Sequence, residues 1–508
     1  LIDNICSVLN HVIGPVMPGS SSSHTAGPYQ IARTCRGFIG ELPAQVIYRF
    51  NPGSSLAVTY REQGSDLALA MGMLGLPLTD PRFKQAFELA AQLGTEIKFE
   101  TKSFPEACHP NSILITARRR DGSVFTAVAD STGGGGLLFR YLNGWPVKLT
   151  GDAYYLAVEG KDSSAAAKLA PFGKVDVQSR DGTDFCLLSS PRPVSDKLLA
   201  ELKQSASVLC AEPVFYPVRG ERLFASGAEM VTYAEKHGLS LGEAALAYEA
   251  ALLGMPREEL DAEMDRRLKV MEDAVALGLS DQCPTMFLLK PTAKKIMDAE
   301  KAGKLALGGA GTRAAIRSMA AMQVNSGQGI VCAAPTGGSA GVVPGVVTTL
   351  LEDLKMPRET VRRALWAAGI LGWVLATRAT FAAEVCGCQV EIGAAGAMAA
   401  AAVVEAAGGS ARQAADAGAI AFQNSMGLVC DLVQSTVELP CHTRNASFAS
   451  QAFICADLIL GGYENPVPLD ETVDAVWSSG CMMTAELRCT SLGGIAVAPS
   501  ALAMKRLR

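Results

Sequence analysis

Apolar and polar residues alternate over Val46–Phe50 and Glu96–Glu100, the period-two pattern of half-buried strands. Ile113–Ala117 and Val124–Ala129 repeat it on either side of Asp121-Gly122, a type I′ hairpin signal. The stretch up to about residue 150 therefore mixes strands with helices. It runs into Gly133-Gly134-Gly135-Gly136, where the backbone must turn tightly or approach another segment closely. From Tyr154 to Val218 the pattern predicts strand Tyr154–Val158, helix Ser163–Ala170, strand Lys174–Ser179, a turn at Asp181-Gly182, strand Asp184–Ser189, helix Val194–Gln204 and strand Val208–Phe215. That order is βαββαβ, the ferredoxin-like split unit, used by small amino-acid-binding (ACT-like) modules and by purely structural ones.

Beyond about residue 222 the apolar spacing becomes three and four. It predicts helices over Met230–His237, Leu241–Leu253, Glu258–Leu277, Thr312–Gln323 and Arg358–Thr380. The glycine- and alanine-rich run from Gly308 to Gly427 implies helices that cross closely through small side chains. The expected architecture is multidomain: an α+β domain over 1–150, a small βαββαβ insert over 151–221 and an all-α domain carrying the chemistry over 222–508.

Composition narrows the function. A net charge of −5 over 508 residues, without a block of like charges, favours neither a nucleic acid nor an anionic membrane as partner. The longest apolar stretches, Ala364–Ala376 and Ala394–Val404, fall short of the ~20 residues that span a bilayer. The first residues lack the basic-then-apolar order of a signal peptide. Fourteen cysteines scattered along so long a chain do not resemble a disulfide scaffold. A cytoplasmic enzyme acting on a small molecule, with a homodimer as the default assembly, is the expectation.

Three cysteines stand out. Cys388, Cys430 and Cys441 are framed by polar or turn-forming neighbours, namely Gln389 and Glu391, Asp431, then Pro440, His442, Arg444 and Asn445. Grouped late in such a chain they suit a metal or cluster as well as they suit buried thiols, and Cys386 and His442 are alternative ligands that spacing does not exclude. A second constellation is Ser20-Ser21-Ser22-Ser23-His24-Thr25, whose hydroxyls and backbone N–H groups ahead of a helix can hold a carboxylate, with His24 able to move a proton. A third is Ala334-Pro335-Thr336-Gly337-Gly338-Ser339, a glycine-rich turn that can cradle an anion or permit close packing.

Together these motifs resemble the iron–sulfur-dependent bacterial L-serine dehydratases in their single-chain form. Ser21–Pro28, Cys108-His109-Pro110-Asn111 and Gly133–Gly136 resemble the family's β part. Thr336-Gly337-Gly338, Gly387-Cys388-Gln389, Gly427–Asp431, Pro440-Cys441 and Glu486-Leu487-Arg488 resemble its α part. The resemblance implies a [4Fe–4S] cluster on Cys388, Cys430 and Cys441, with a fourth iron acting as Lewis acid on the substrate's β-hydroxyl. It also implies a small substrate held by Ser21, Ser22, Ser23, Thr25, Thr336 and Gly337. One departure bears on mechanism. Where the family carries a histidine suited to abstract a proton, this chain reads Arg61-Glu62-Gln63-Gly64-Ser65-Asp66. An amide cannot serve as a base near neutrality, so the base is expected at His24, Glu62 or Asp66, with His109 a further candidate. The same glutamine admits a hydro-lyase acting on a non-amino acid such as 2-(hydroxymethyl)glutarate. A non-catalytic iron–sulfur sensor is the reading from another class.

Overall fold

The computed structural model describes residues 5–161 and 164–507. Residues 6–18 begin in the helical part. Ser7 caps the short helix Val8–His11, and the buried Glu249 accepts from Ser7 Oγ (2.5 Å) and from the Val8 and Leu9 amides (both 2.9 Å). Strand Val16–Pro18 then pairs antiparallel with Ile330–Cys332. This clip ties the start of the chain to the helices 300 residues on, and it delivers Gly19–Ser23 to the seam between the two halves.

Six strands form the N-terminal sheet in the spatial order Glu96–Thr101, Gln45–Phe50, Ser112–Arg118, Val124–Gly133, Gly136–Leu142, Trp145–Leu149. Only the first pair is parallel, joined through helices Ser65–Leu74 and Ala86–Gln92. The expected alternation appears as burial: Val46, Tyr48 and Phe50 point into a core shared with Ile31, Cys35 and Phe38 of helix Gly27–Ile39. The Asp121-Gly122 hairpin forms with a different turn. Gly122 alone takes a positive φ (88°), and the Gly122 amide donates to Arg119 O, so the loop is a type I turn followed by a left-handed glycine. The Asp121 carboxylate holds the aspartate out of the left-handed region by accepting from Ser123 N and Oγ.

The four glycines make a two-residue hairpin turn at Gly134-Gly135, both at positive φ, between the paired Gly133 and Gly136. Gly133 also bridges to Phe381, and a Cβ there would lie 2.6 Å from Ala382 N. This loop is a docking point against the helical part.

In the next unit the strands Ser207–Ala211, Tyr154–Gly160, Thr183–Ser190 and Lys174–Arg180 lie side by side in that order, every neighbour antiparallel. Helices Ala165–Leu169 and Asp196–Leu202 connect them. Ser163, the expected first residue of the earlier helix, lies outside the described residues.

The helical part is built on Ile392–Ala406, whose alanines and glycines let Arg358–Arg378, Ala411–Gln423 and Cys441–Leu460 pack directly on it. Gly396 leaves room for Phe448, and Gly418 for Leu371. The run Cys388–Ala406 is long and apolar enough to cross a membrane by length and composition, and it is wholly buried among its neighbours.

Candidate active site at the seam

After the clip, Ser22–Ala26 winds into a π-helical turn that opens helix Gly27–Ile39. All five of its residues are buried, and π-helical turns are common at functional sites. His24 is fully buried there. Its Nδ1 lies 2.8 Å from Ser23 Oγ and 3.3 Å from Ser21 Oγ, and its Nε2 lies 2.9 Å from Ser55 Oγ. Burial without a charged partner lowers its pKa to about 3, so the imidazole is neutral under ordinary conditions. Ser22 Oγ accepts from the Gly337 amide at 3.2 Å, and a Cβ on Gly337 would sit 2.8 Å from Ser20 O and Ser22 N. The glycine at 337 is therefore required by close approach of the two halves.

Thr336, whose backbone amide is bonded to Ser339 Oγ, turns its own hydroxyl to Glu391 as well. Burial raises Glu391 to about 7. Thr25 faces elsewhere, donating to the Gln63 carbonyl at 2.8 Å. Glu62 meets Arg506 at 3.4 Å, and Asp66 accepts from the neighbouring Leu67 amide at the start of its own helix. The structure thus brings Ser21, Ser22, Ser23, His24, Thr336 and Gly337 together, while the Glu62 and Asp66 carboxylates make their contacts outside this group. Gln63 is completely buried. Its Nε2 reaches Ser435 O at 3.3 Å, and its Oε1 has no partner among the described residues.

Facing the hydroxyl-rich turn are the thiols. Cys388, Cys430 and Cys441 are 2, 1 and 3 % exposed. Cys388 opens the turn before Ile392–Ala406, and Cys441 is the first residue of the 20-residue helix Cys441–Leu460, where the helix dipole favours a thiolate. Sγ of Cys388, Sγ of Cys430 and a Glu391 oxygen lie within 4.8 Å of one another, and Cys441 feels the charges of Cys388 and Glu391. A fourth thiol, Cys489, is held against Cys430 by backbone pairing: Cys430 N donates to Leu487 O and Cys489 N to Cys430 O, both at 2.9 Å. Cys489 is 5 % exposed and takes a positive φ of 61°.

All 14 cysteines are free. Bonding to Cys388 and Cys489, together with burial, pushes the Cys430 thiol well above its ordinary pKa, and burial does the same to Cys441. Thiols so placed ionise together only when a cation neutralises them. Buried unbridged sulfurs with a carboxylate nearby form a donor set that fits an iron–sulfur cluster, and the Arg444 guanidinium, which interacts with Cys388 and Cys441, offsets part of their negative charge. The two alternative ligands point elsewhere: His442 Nε2 is 2.8 Å from Ser326 Oγ, and Cys386 bonds to Cys481.

A cleft of 340 Å³ leads to this region from outside. It is lined by Asn51–Ser55, Ala107–Pro110, Glu384, Ala485, Arg488 and Thr490, so it contains residues of both halves and both chain neighbours of Cys489. Arg488 Nη1 donates to Val385 O at 3.0 Å, whereas its Nε is buried without a partner among the described residues. Arg488 thus brings a positive charge to the cleft wall, where it suits an incoming carboxylate.

Taken together, the seam sets a hydroxyl-rich turn from one half against the loops of the other that carry the grouped cysteines, the arrangement of an enzyme site built from two parts. The residues 236–496 match the family described as serine dehydratase alpha chain, and the chain belongs to that family. It is 38 % identical over 278 residues to the probable L-serine dehydratase alpha chain of Bacillus subtilis, covering 55 % of this chain and 93 % of that protein. The L-serine dehydratase alpha chain of Peptoniphilus asaccharolyticus is 35 % identical over 269 residues, 53 % of this chain and 92 % of its own. Similarity to the L-serine dehydratase of Mycobacterium tuberculosis, at 27 % identity, extends over 94 % of this chain and 95 % of that one, so both halves are shared within one polypeptide.

Glu384, Ser55 and Cys489 were not singled out by sequence reasoning, and Arg488 entered it only within the Glu486-Leu487-Arg488 motif. Ser55 and Cys489 sit in stretches without periodicity or ligand spacing. Glu384 precedes Cys388 by four residues, and that proximity was the one available signal.

Proposed function

We propose that the protein removes water from L-serine to give pyruvate and ammonia, with a [4Fe–4S] cluster held by Cys388, Cys430 and Cys441. The observation that carries this reading is the gathering of those buried, unbridged thiols with Glu391 and Cys489, close to a cleft whose wall carries Glu384 and both chain neighbours of Cys489. When bound, the cluster supplies a Lewis-acidic iron that makes the β-hydroxyl a tolerable leaving group.

The chain's own residues do the rest. Arg488, on the cleft wall, holds the substrate carboxylate. Ser21, Ser22 and Ser23, with Gly337 pressed against them, form the polar wall that excludes bulk water from the chamber. Neutral His24 keeps two hydroxyls oriented and acts as a positioning residue. Glu62 and Asp66, engaged with Arg506 and a helix start, are assigned no proton. The four-stranded unit at 151–221 has the strand order of a ferredoxin-like module, and its role is scaffolding in this reading.

Anaerobic reconstitution followed by iron analysis and an assay for pyruvate and ammonia from L-serine tests the proposal, with Cys430→Ala alongside. Both products in equal amounts, and their loss together with bound iron in the variant, support it. An iron-loaded protein that leaves L-serine untouched overturns it.

A further inference from the structure

Glu384 stands on the wall of the cleft with 4 % of its surface exposed, and it has no ion pair among the described residues. Its carboxyl is bonded to Asn111 Nδ2 and to the Ser23 hydroxyl. The directions of the neighbouring bonds are linked. Ser55 donates to the Cys489 carbonyl at 3.0 Å, so His24 Nε2–H donates to Ser55, and His24 Nδ1 accepts from Ser23. The Ser23 oxygen is then free to accept, and a protonated Glu384 completes the chain. The carboxyl therefore holds its proton in the absence of substrate, at one end of a directed run of hydrogen bonds that ends beside Cys489.

Arg488 places the substrate near this group. Its guanidinium is anchored on the carbonyl of Val385, the residue after Glu384. A carboxylate bound at Arg488 in the cleft that both residues line puts the adjoining Cα and its ammonium near Glu384, giving that carboxyl a cationic neighbour that favours its ionised form.

We propose that Glu384 is the base that takes the Cα proton of the substrate, the role left open by glutamine at position 63. This rests on the dehydratase reading above. In the step, a Glu384 carboxylate oxygen accepts the Cα proton, the C–H electron pair becomes the Cα=Cβ bond, and the Cβ–O bond breaks with its pair leaving on oxygen as hydroxide. The enamine tautomerises to an imine, which water hydrolyses to pyruvate and ammonia. Groups facing Glu384 are Glu391 and Cys386 from its own side, Ser23 and His24 from the hydroxyl turn, and His109 and Arg488 across the cleft. Burial first, and then the Glu391 charge, raise the Glu384 pKa to about 8, close to the value at which a base works best near neutrality.

The test uses the iron-loaded full chain and L-serine deuterated at Cα. Wild type is expected to wash the label into solvent and to form pyruvate at rates that rise with pH through about 8. Glu384→Gln is expected to keep its iron and its cluster spectrum while label release falls by about 10²–10⁴-fold. Glu384→Asp, which retracts the carboxyl by one methylene, is expected to release label at an intermediate rate with the rise in pH preserved. Should the glutamine variant fail to bind iron, the aspartate variant decides the matter. Wild-type label release in iron-loaded Glu384→Gln, or label release in Glu384→Asp that no longer rises with pH, overturns the assignment while leaving the dehydratase reading intact. A wild-type protein that forms no pyruvate overturns the reading itself.

Discussion

Ser55 Oγ lies 3.0 Å from the carbonyl oxygen of Cys489, joining two residues 434 positions apart across the seam. The same hydroxyl lies 2.9 Å from His24 Nε2. The N-terminal half therefore holds, through one serine, the backbone that presents the fourth thiol of the cysteine group.

Replacing Ser55 with alanine leaves the His24 N–H and the Cys489 carbonyl unpaired in a buried setting. A loss of about 1–3 kcal/mol of stability follows. Thermal melts of Ser55→Ala and Ser55→Thr check this: the threonine variant, which keeps the hydroxyl, should recover most of the loss.

Gly337→Ala drives a methyl group into Ser20 O and Ser22 N. Overpacking of this kind costs about 1–3 kcal/mol. Because it displaces the hydroxyl turn, it should also raise KM for L-serine by more than it lowers kcat. Steady-state kinetics separate the two parameters, and an unchanged KM would contradict the placement of this turn at the substrate.

Stability should decline on the alkaline side. Glu384 has its folded pKa raised from 4.5 to about 8, so the unfolded chain releases this proton first. Its contribution favours folding below pH 4.5 and is lost progressively as pH rises toward 8. Glu384→Gln removes the penalty, so its melting temperature should gain on wild type steadily between pH 5 and 8.

The acid side has a separate cause. Burial lowers His24 from 6.5 to about 3 and His442 from 6.5 to about 4. Below pH 6.5 the unfolded chain takes up protons that the folded one refuses, and stability falls until the folded pKa values are reached. His442→Gln, which replaces a ring bonded to Ser326 Oγ, should flatten the fall in melting temperature of the metal-free protein between pH 6.5 and 4.

Iron loading should itself stabilise the fold, because a cluster binds the gathered thiols and not the unfolded chain. The melting temperature of reconstituted protein should exceed that of the metal-free form. Cys388→Ala should abolish the difference, whereas Cys455→Ala, near the other end of helix Cys441–Leu460, should leave it unchanged.

Much of this was legible along the chain. Strand Gln45–Phe50, the order of elements from Tyr154 to Ala211 and helix Leu241–Leu253 follow from periodicities of two and three to four, which act over one or two turns. The serine run and the three framed cysteines were visible as motifs for the same reason, since their chemistry is written in consecutive residues. The Asp121-Gly122 turn type was not, because an aspartate bond to Ser123 decided it. What tertiary structure alone decided is which distant groups share a chamber. Cys489 reaches Cys430 through backbone pairing between segments with no regular pattern, and Glu384 meets Asn111 only once the N-terminal sheet docks on the helices. Local patterning sets which face of each element is buried. The position of a thiol or carboxyl in space is set by how those faces pack, and side chains hundreds of residues away determine that packing.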